Sequence, residues 1–517
     1  MLKTIGLLLA LAWGALAQPT LDALVERVRK DFNVPGIAVA VVADGKLVHS
    51  KGYGVRKLGE PAPVTPNTLF GIASNTKAMT AAALAILVDE GKIQWDDQVG
   101  KHMPAFQMYD PYVTREMTVR DLLVHRSGLG LGAGDLMFFP SSDLSREEIV
   151  RRLRFVKPAS SFRSRYAYDN ILYLVAGQLI PAVTGRSWDD FLRERIHLPL
   201  GMTSTRTGIG ALRPGDEIAT PHAPAGGELQ AIGPTNLDNN APAGAVQSSI
   251  GDMARWVMLQ LNRGELDGKR LFSARQSREM WSPHTIIPVA DPRHPALAAV
   301  KPMFSAYGLG WTLSDYRGRP LVWHTGGLAG MVTRVTLAPD RKLGIIVLTN
   351  QESGGAFNAI TYTVLDHYLG AAATDWPQAF LEVAKKQVAD AEAAVQKASA
   401  KRNAGSRPAL ELPAYAGRYR DAWYGDVVIE ERDGKLRIRF THSPLLTGAL
   451  EHWHYDTFVA RWDDRTMLAD AYVTFSLKPD GAIDELKMAA VSPLTDFSFD
   501  FHDLLLKPVA RDAAAYD

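Results

Sequence analysis

Strand-like runs of period two stand at both ends of the first 370 residues and are nearly absent between them, which constrains the fold more than any other feature. Near the start, residues 37–42 and 46–50 meet across Asp44-Gly45, a hairpin signal, and Thr20 sits as N-cap to an amphipathic helix over 21–32. Strands return only at 307–313, 321–324, 332–337 and 343–349, with turns at Arg317-Gly318 and Pro339-Asp340. Between them lie helix candidates at 121–124, 146–155, 171–183, 188–196 and 250–261, separated by Pro/Gly loops of which 212–245 is the most extended. The pattern predicts an α+β fold: one antiparallel sheet built from both ends and flanked by helices, with a helical lobe inserted.

Beyond this unit a charged, Ala-rich helix is predicted over 375–401, opened by Pro377 in its first turn. Asn403, Gly405 and Pro408 then break the pattern, and period two resumes at 426–430, 435–440, 457–462, 472–477 and 485–489, with turns at Asp433-Gly434 and Asp480-Gly481. That tail reads as an all-β meander forming a small barrel. A chain of 517 residues is expected to form two or three domains. They are placed at 18–372 for the α+β unit, 373–410 for a helical linker and 411–517 for the β-domain.

The first residues read as an export signal: Lys3 as a basic start, an apolar stretch over 5–13 too short to span a bilayer, and Ala15-Leu16-Ala17 as a cleavage site before Gln18. A signal peptide over 1–17 implies a periplasmic or secreted protein with no membrane association after its removal. Cysteine is absent, which excludes thiol nucleophiles, cysteine metal sites and disulfides. A net charge of +1 gives no reason to expect nucleic acid as a partner.

Chemistry is carried first by Ser74-Asn75-Thr76-Lys77, where the strand-like 69–73 gives way to the helical composition of 78–87. Ser74 stands at a helix start, and Lys77, three residues on, shares its face. An amine held in apolar surroundings loses its preference for the charged form and can take the serine proton. Backbone N–H groups at the helix start supply donors to an oxyanion. Taken alone, the spacing fits a serine N-cap beside a solvated lysine better than a catalytic pair.

Two further stretches change that balance. In Tyr168-Asp169-Asn170, ahead of a helical run, a phenol near an ammonium can shuttle protons, and the Asn170 amide can hold both the lysine and a substrate carbonyl. In His324-Thr325-Gly326-Gly327, at the end of strand 321–323, glycines admit a ligand backbone, the Gly327 N–H complements that of Ser74, and His324 lines the pocket.

In this order the three motifs resemble the penicillin-recognising serine hydrolases: class C β-lactamases, D,D-peptidases, D-aminopeptidases and related esterases. The resemblance covers about residues 21–370 and includes Thr118 to Leu129, Ala243 to Ser249, and Tyr307-Gly308-Leu309-Gly310-Trp311. It implies Ser74 as acylated nucleophile, Lys77 and Tyr168 sharing the base and acid roles, Asn170 orienting substrate, and an oxyanion hole from Ser74 and Gly327. Thr325 and Gly326 belong to the same substrate-binding edge, and neither cofactor nor metal is implied. Histidine at 324 departs from the lysine usual in penicillin-binding proteins and β-lactamases, and resembles the D-aminopeptidase and esterase branches. The tail from residue 412 is similar to the lipocalin-like β-domain appended to such hydrolases, where it either covers the active-site mouth or makes homo-oligomer contacts.

The expectation is an exported serine hydrolase cleaving a D-amino-acid-containing peptide or a small ester. The alternatives are a β-lactamase or D,D-carboxypeptidase, and a non-catalytic receptor of the same fold. Three other features are assigned to structure: His125 to a loop at the site's rim, His452 and His454 to one solvent-facing strand face, and Arg146, Arg151, Arg152 and Arg154 to a solvated helix face.

Overall fold

The computed structural model describes residues 18–510 apart from 293, so the expected signal peptide lies outside the described residues. Strand β1 (Gly36–Ala43) forms a hairpin with β2 (Lys46–Gly54) and, on its other edge, joins a group of strands that begins only at Thr285. That group is β3 (Thr285–Ile286), β4 (Ser305–Tyr307), β5 (Thr312–Tyr316), β6 (Arg319–Leu328), β7 (Met331–Ala338) and β8 (Leu343–Thr349). The sheet order is β2-β1-β8-β7-β6-β5-β4-β3, antiparallel throughout, with Ile37 opposite Thr349.

Alternation along β1 explains its position between two helix layers. Ile37, Val39 and Val41 share a core with α1 (Gln18–Asp31), α5 (Gly354–Leu369) and the start of α6 (Trp376–Ser399). Ala38, Ala40 and Val42 face the opposite core, with α2 (Thr76–Asp89), α3 (Ile171–Thr184) and α4 (Ile250–Leu261). Large residues on one face and small ones on the other set different helix distances. A one-residue slip would exchange them and force Ile and Val side chains into space shaped for alanine, overpacking that costs about 1–3 kcal/mol.

Several boundaries differ from expectation. Thr20 lies inside α1 rather than capping it. The segment read as 307–313 is two strands, because Gly310 turns at φ +78° between β4 and β5. Strand β6 does not end at His324; it runs through Thr325, Gly326 and Gly327 in register with β7, since glycine costs the ladder no backbone hydrogen bond. Asp121–Leu123 is a single 3-10 turn.

Helix α6 begins at the Asp375 cap, and its first turns pack on α5, with the Trp376 indole donating to Asp366 at 2.8 Å. The tail forms β9 (Gly417–Asp421), β10 (Gly425–Arg432), β11 (Lys435–Phe440), β12 (Thr447–His454), β13 (Thr457–Trp462), β14 (Ala471–Leu477), β15 (Ile483–Ala490) and β16 (Lys507–Pro508). They make one antiparallel sheet, nearly closed into a barrel by the bridge of Leu486 to Leu506.

The barrel docks on the helical lobe. Arg152 donates to the carbonyls of Trp423 and Tyr424, and Phe499 meets Phe139 with ring centroids 5.1 Å apart. Arg146 likewise binds Asp189 and the Asp238 carbonyl, so two of the four basic residues hold tertiary contacts. The pattern of one helix cannot reveal carbonyl partners hundreds of residues away. Among the described residues, no helix is long and apolar enough to cross a membrane.

Candidate active site

The short strand Phe70–Gly71 pairs with Gln247–Ser248 and delivers the chain to a 3-10 turn, Ala73–Asn75, that runs into α2. Ala73 takes φ +47°, a left-handed conformation that costs a non-glycine residue about 1 kcal/mol and places Ser74 at the mouth of the pocket. Gly326 of β6 abuts this turn: a Cβ there would meet the Ile72 carbonyl at 2.2 Å and Ala73 Cβ at 2.9 Å. The glycine is what allows the sheet edge to lie directly against the nucleophile's turn.

Helix α2 is apolar on all sides because it is enclosed by the lobe, and Lys77 is fully buried within it. Its Nζ has three oxygen neighbours: Ser74 Oγ at 3.0 Å, Asn170 Oδ1 at 2.7 Å and the Ala243 carbonyl at 3.0 Å. A neutral amine satisfies all three, two N–H groups donating to the amide and carbonyl oxygens while the lone pair faces the serine hydroxyl. Burial lowers the lysine pKa to about 7, against the attraction of Asp135 and Asp169.

Tyr168 shares a hydrogen bond with the Ser74 hydroxyl, and its ring centroid is 4.9 Å from Lys77 Nζ. Burial pushes this phenol well above its ordinary pKa, outweighing the Ser74 hydrogen bond. The anion expected from an adjacent ammonium is therefore disfavoured, and Tyr168 holds its proton. Asn170 is oriented from behind, its Nδ2 donating to Asp135 at 2.7 Å.

His324 is buried and neutral, its pKa lowered to about 3 by desolvation and by the neighbouring Lys77. Its Nδ1 donates to the Thr325 carbonyl at 2.6 Å, and its Nε2 accepts from the Tyr307 hydroxyl at 2.8 Å. His125 is not at the rim. It is buried at φ +55° beneath the site, 4.3 Å from the Tyr168 ring and 4.4 Å from that of Tyr307.

These residues surround a pocket of about 420 Å³ that also takes in Thr325, Gly326, Gly327, Phe138, Phe357, Asp496, Phe497 and Ser498. Gly327 presents an open face: nothing lies within 4 Å of the position a Cβ would take. Asp496 is the one formally charged side chain among the described lining residues. All eight residues singled out from sequence are brought together here. Asp135 and the 496–498 segment were missed, because neither belongs to a motif.

Metal ligation finds weaker ground. His452 and His454 are separated by a register shift in β12, so they do not share one regular face. Asp500, His502 and Asp503 place ligand atoms within 4.8 Å of one another, but the imidazole turns Nδ1 towards one carboxylate (3.5 Å) and Nε2 towards the other (3.8 Å).

A helical lobe set into an antiparallel sheet, with a Ser/Lys/Tyr cluster at their junction, defines the β-lactamase/transpeptidase-like class. The chain belongs to the Beta-lactamase family, whose model matches residues 21–369, and a Domain of unknown function (DUF3471) matches 401–508. It is similar to Unguisins hydrolase ungD' of Aspergillus campestris, 33% identical over 364 residues, covering 68% of this chain and 65% of that one. Unguisins hydrolase ungD of Aspergillus violaceofuscus is 30% identical over 467 residues, covering 83% and 80%. Protein flp of Staphylococcus aureus is 26% identical over 345 residues, covering 65% and 64%. The chain thus spans about two thirds of the length of the first and third of these relatives. In fold it matches the octameric penicillin-binding protein homologue from Pyrococcus abyssi with a TM-score of 0.60 at 21% identity, over 95% of this chain and all of that one.

Proposed function

We propose that this protein is an exported serine hydrolase that cleaves an amide or ester through an acyl-enzyme on Ser74, acting on a D-amino-acid-containing peptide or a small ester. The observation that carries the reading is the buried Lys77 amine, 3.0 Å from Ser74 Oγ and with its pKa near neutrality. Lys77 takes the Ser74 proton as Oγ bonds to the substrate carbonyl carbon. The resulting oxyanion faces the N–H groups of Ser74 and Gly327, each such donor contributing about 3 kcal/mol of transition-state stabilisation. Tyr168, which keeps its proton, passes it to the departing nitrogen or oxygen and recovers one from Lys77. Water, deprotonated by the same pair, then releases the acid.

Substrate choice follows from charge. A neutral His324 and a lone Asp496 leave the pocket lining without a cation to hold a substrate carboxylate, which disfavours β-lactams and C-terminal carboxylates. Two relatives carrying the name hydrolase support a hydrolytic reading over a receptor. Fluorophosphonate should label the wild type at Ser74 and leave Ser74→Ala unlabelled; an unlabelled wild type would favour the receptor reading. Among p-nitrophenyl esters, D-amino-acid p-nitroanilides and nitrocefin, fastest turnover of nitrocefin would overturn the substrate assignment.

A further inference from the structure

The segment joining β15 to β16 leaves the barrel, enters the hydrolytic pocket and returns. Two of its side chains bind Asp135 and the turn that precedes it. The Gly134 N–H donates to Asp500 at 2.6 Å, and the Ser498 hydroxyl donates to Asp135 Oδ2 at 2.8 Å. The approach is close enough that a Cβ on Gly132, at φ +69°, would meet the Phe497 ring at 2.7 Å. Phe497 itself packs against Tyr168, with centroids 6.0 Å apart.

From Ser498 a continuous chain of hydrogen bonds reaches the nucleophile. Asp135 Oδ2 also accepts from Asn170 Nδ2 at 2.7 Å, Asn170 Oδ1 accepts from Lys77 at 2.7 Å, and Lys77 meets Ser74 at 3.0 Å. Ser498, Asp135, Asn170 and Lys77 are all buried, where each hydrogen bond counts for more than it would in water. An amide has two ends, and only one serves here. Asp135 requires N–H from Asn170, which forces the oxygen towards Lys77; a flipped amide would set N–H against N–H.

We propose that Ser498, supplied by the C-terminal barrel, is a positioning residue for the hydrolytic centre: it holds Asp135, which fixes the Asn170 amide, which aims the Lys77 amine at Ser74. The barrel is then part of the catalytic apparatus as well as its cover. This rests on the reading of Ser74 as nucleophile. The groups facing the chain are Asp169 and His125 beside Lys77, Asp496 beside Asp135, and Asp500 with Asp503 behind it. Among the described residues, the barrel's side-chain hydrogen bond to Asp135 comes from none of these but from the neutral Ser498 hydroxyl. Removing it frees Asp135 and the amide to turn, and both changes withdraw support from the Lys77 ammonium.

The test is the rate of fluorophosphonate labelling against pH for the full-length protein. Ser498→Ala should label roughly tenfold more slowly at its plateau, as expected for the loss of one buried hydrogen bond. The midpoint of its acid limb should fall below that of the wild type. Ser498→Thr, which keeps the hydroxyl, should restore both. If Ser498→Ala does not fold, Ser498→Cys, with a weaker donor, should show the same displacement in smaller measure. An unshifted midpoint overturns the proposal, whether the rate is unchanged or falls together with the denaturation midpoint, which would leave Ser498 a merely structural role. A wild type that does not label overturns the Ser74 reading itself, a result distinct from either.

Discussion

Replacing Lys77 by Met tests the central electrostatic claim through stability rather than activity. Because burial lowers the folded-state pKa from the ordinary 10.5 to about 7, the folded amine is neutral through most of a range in which the unfolded amine is charged. Between those limits the unfolded chain binds the extra proton, so wild-type stability should rise with pH from about 7 to about 10.5. The full displacement corresponds to about 5 kcal/mol, and the part falling between pH 7 and pH 9 to about 2 kcal/mol. Lys77→Met lacks this dependence. The methionine also leaves Asn170 Oδ1 and the Ala243 carbonyl without the lysine donor, a cost independent of pH that cancels when two pH values are compared. Denaturant titrations of both proteins at pH 7 and pH 9 should therefore show the variant's relative stability decreasing by about 2 kcal/mol at the higher pH. Labelling should fall by about 10²–10⁴-fold in the same variant, the usual contribution of a general base. An equal stability difference at both pH values would mean that the folded amine stays charged, and a charged amine cannot take the serine proton.

Two further substitutions probe the scaffold. Gly326→Ala drives a methyl group into the Ile72 carbonyl and the Thr333 hydroxyl, 2.2 and 2.5 Å from the new Cβ. It should cost about 1–3 kcal/mol in denaturant titration and slow labelling by about 10²-fold as the Ser74 turn shifts; an unaltered labelling rate would show the turn to be independent of the sheet edge. Asp121 is fully buried; burial opposes its ionisation, but hydrogen bonds from Arg163 and Thr118 and the charge of Arg126 outweigh this and hold its pKa below the usual carboxylate range. Its stabilisation is present above the unfolded pKa and lost as pH falls through the lower folded one. Asp121→Asn should remove about 3–5 kcal/mol at pH 7, by leaving two guanidinium groups without their anion, and the difference from wild type should shrink in acid; a constant difference would refute an ionised Asp121.

The fold was legible wherever a local pattern carried it. Asp44-Gly45 and Asp433-Gly434 mark real turns, and the alternation of residues 37–42 is the two-faced packing of β1. It was less legible where glycine hides regular structure. The His324 to Gly327 run resembles a strand end in composition but continues in register with β7, because pairing is decided by the neighbouring strand. Arg152 reads as a solvated cation until the barrel supplies the Trp423 and Tyr424 carbonyls. Asp135 carries no sequence signal at all, since an isolated aspartate after Gly132 and Gly134 is indistinguishable from an ordinary turn residue.

By itself the sequence determined which functional groups the protein possesses and in what order: a serine and a lysine one helical turn apart, a phenol with an amide two residues on, and a glycine-rich edge. Those depend on local spacing, which a chain expresses before it folds. Only the tertiary structure decided their ionisation and direction, as in the neutral imidazole of His324, the proton retained by Tyr168 and the orientation of the Asn170 amide. Desolvation and hydrogen-bond geometry arise from residues distant in the chain, Ser498 among them, and no local pattern records them.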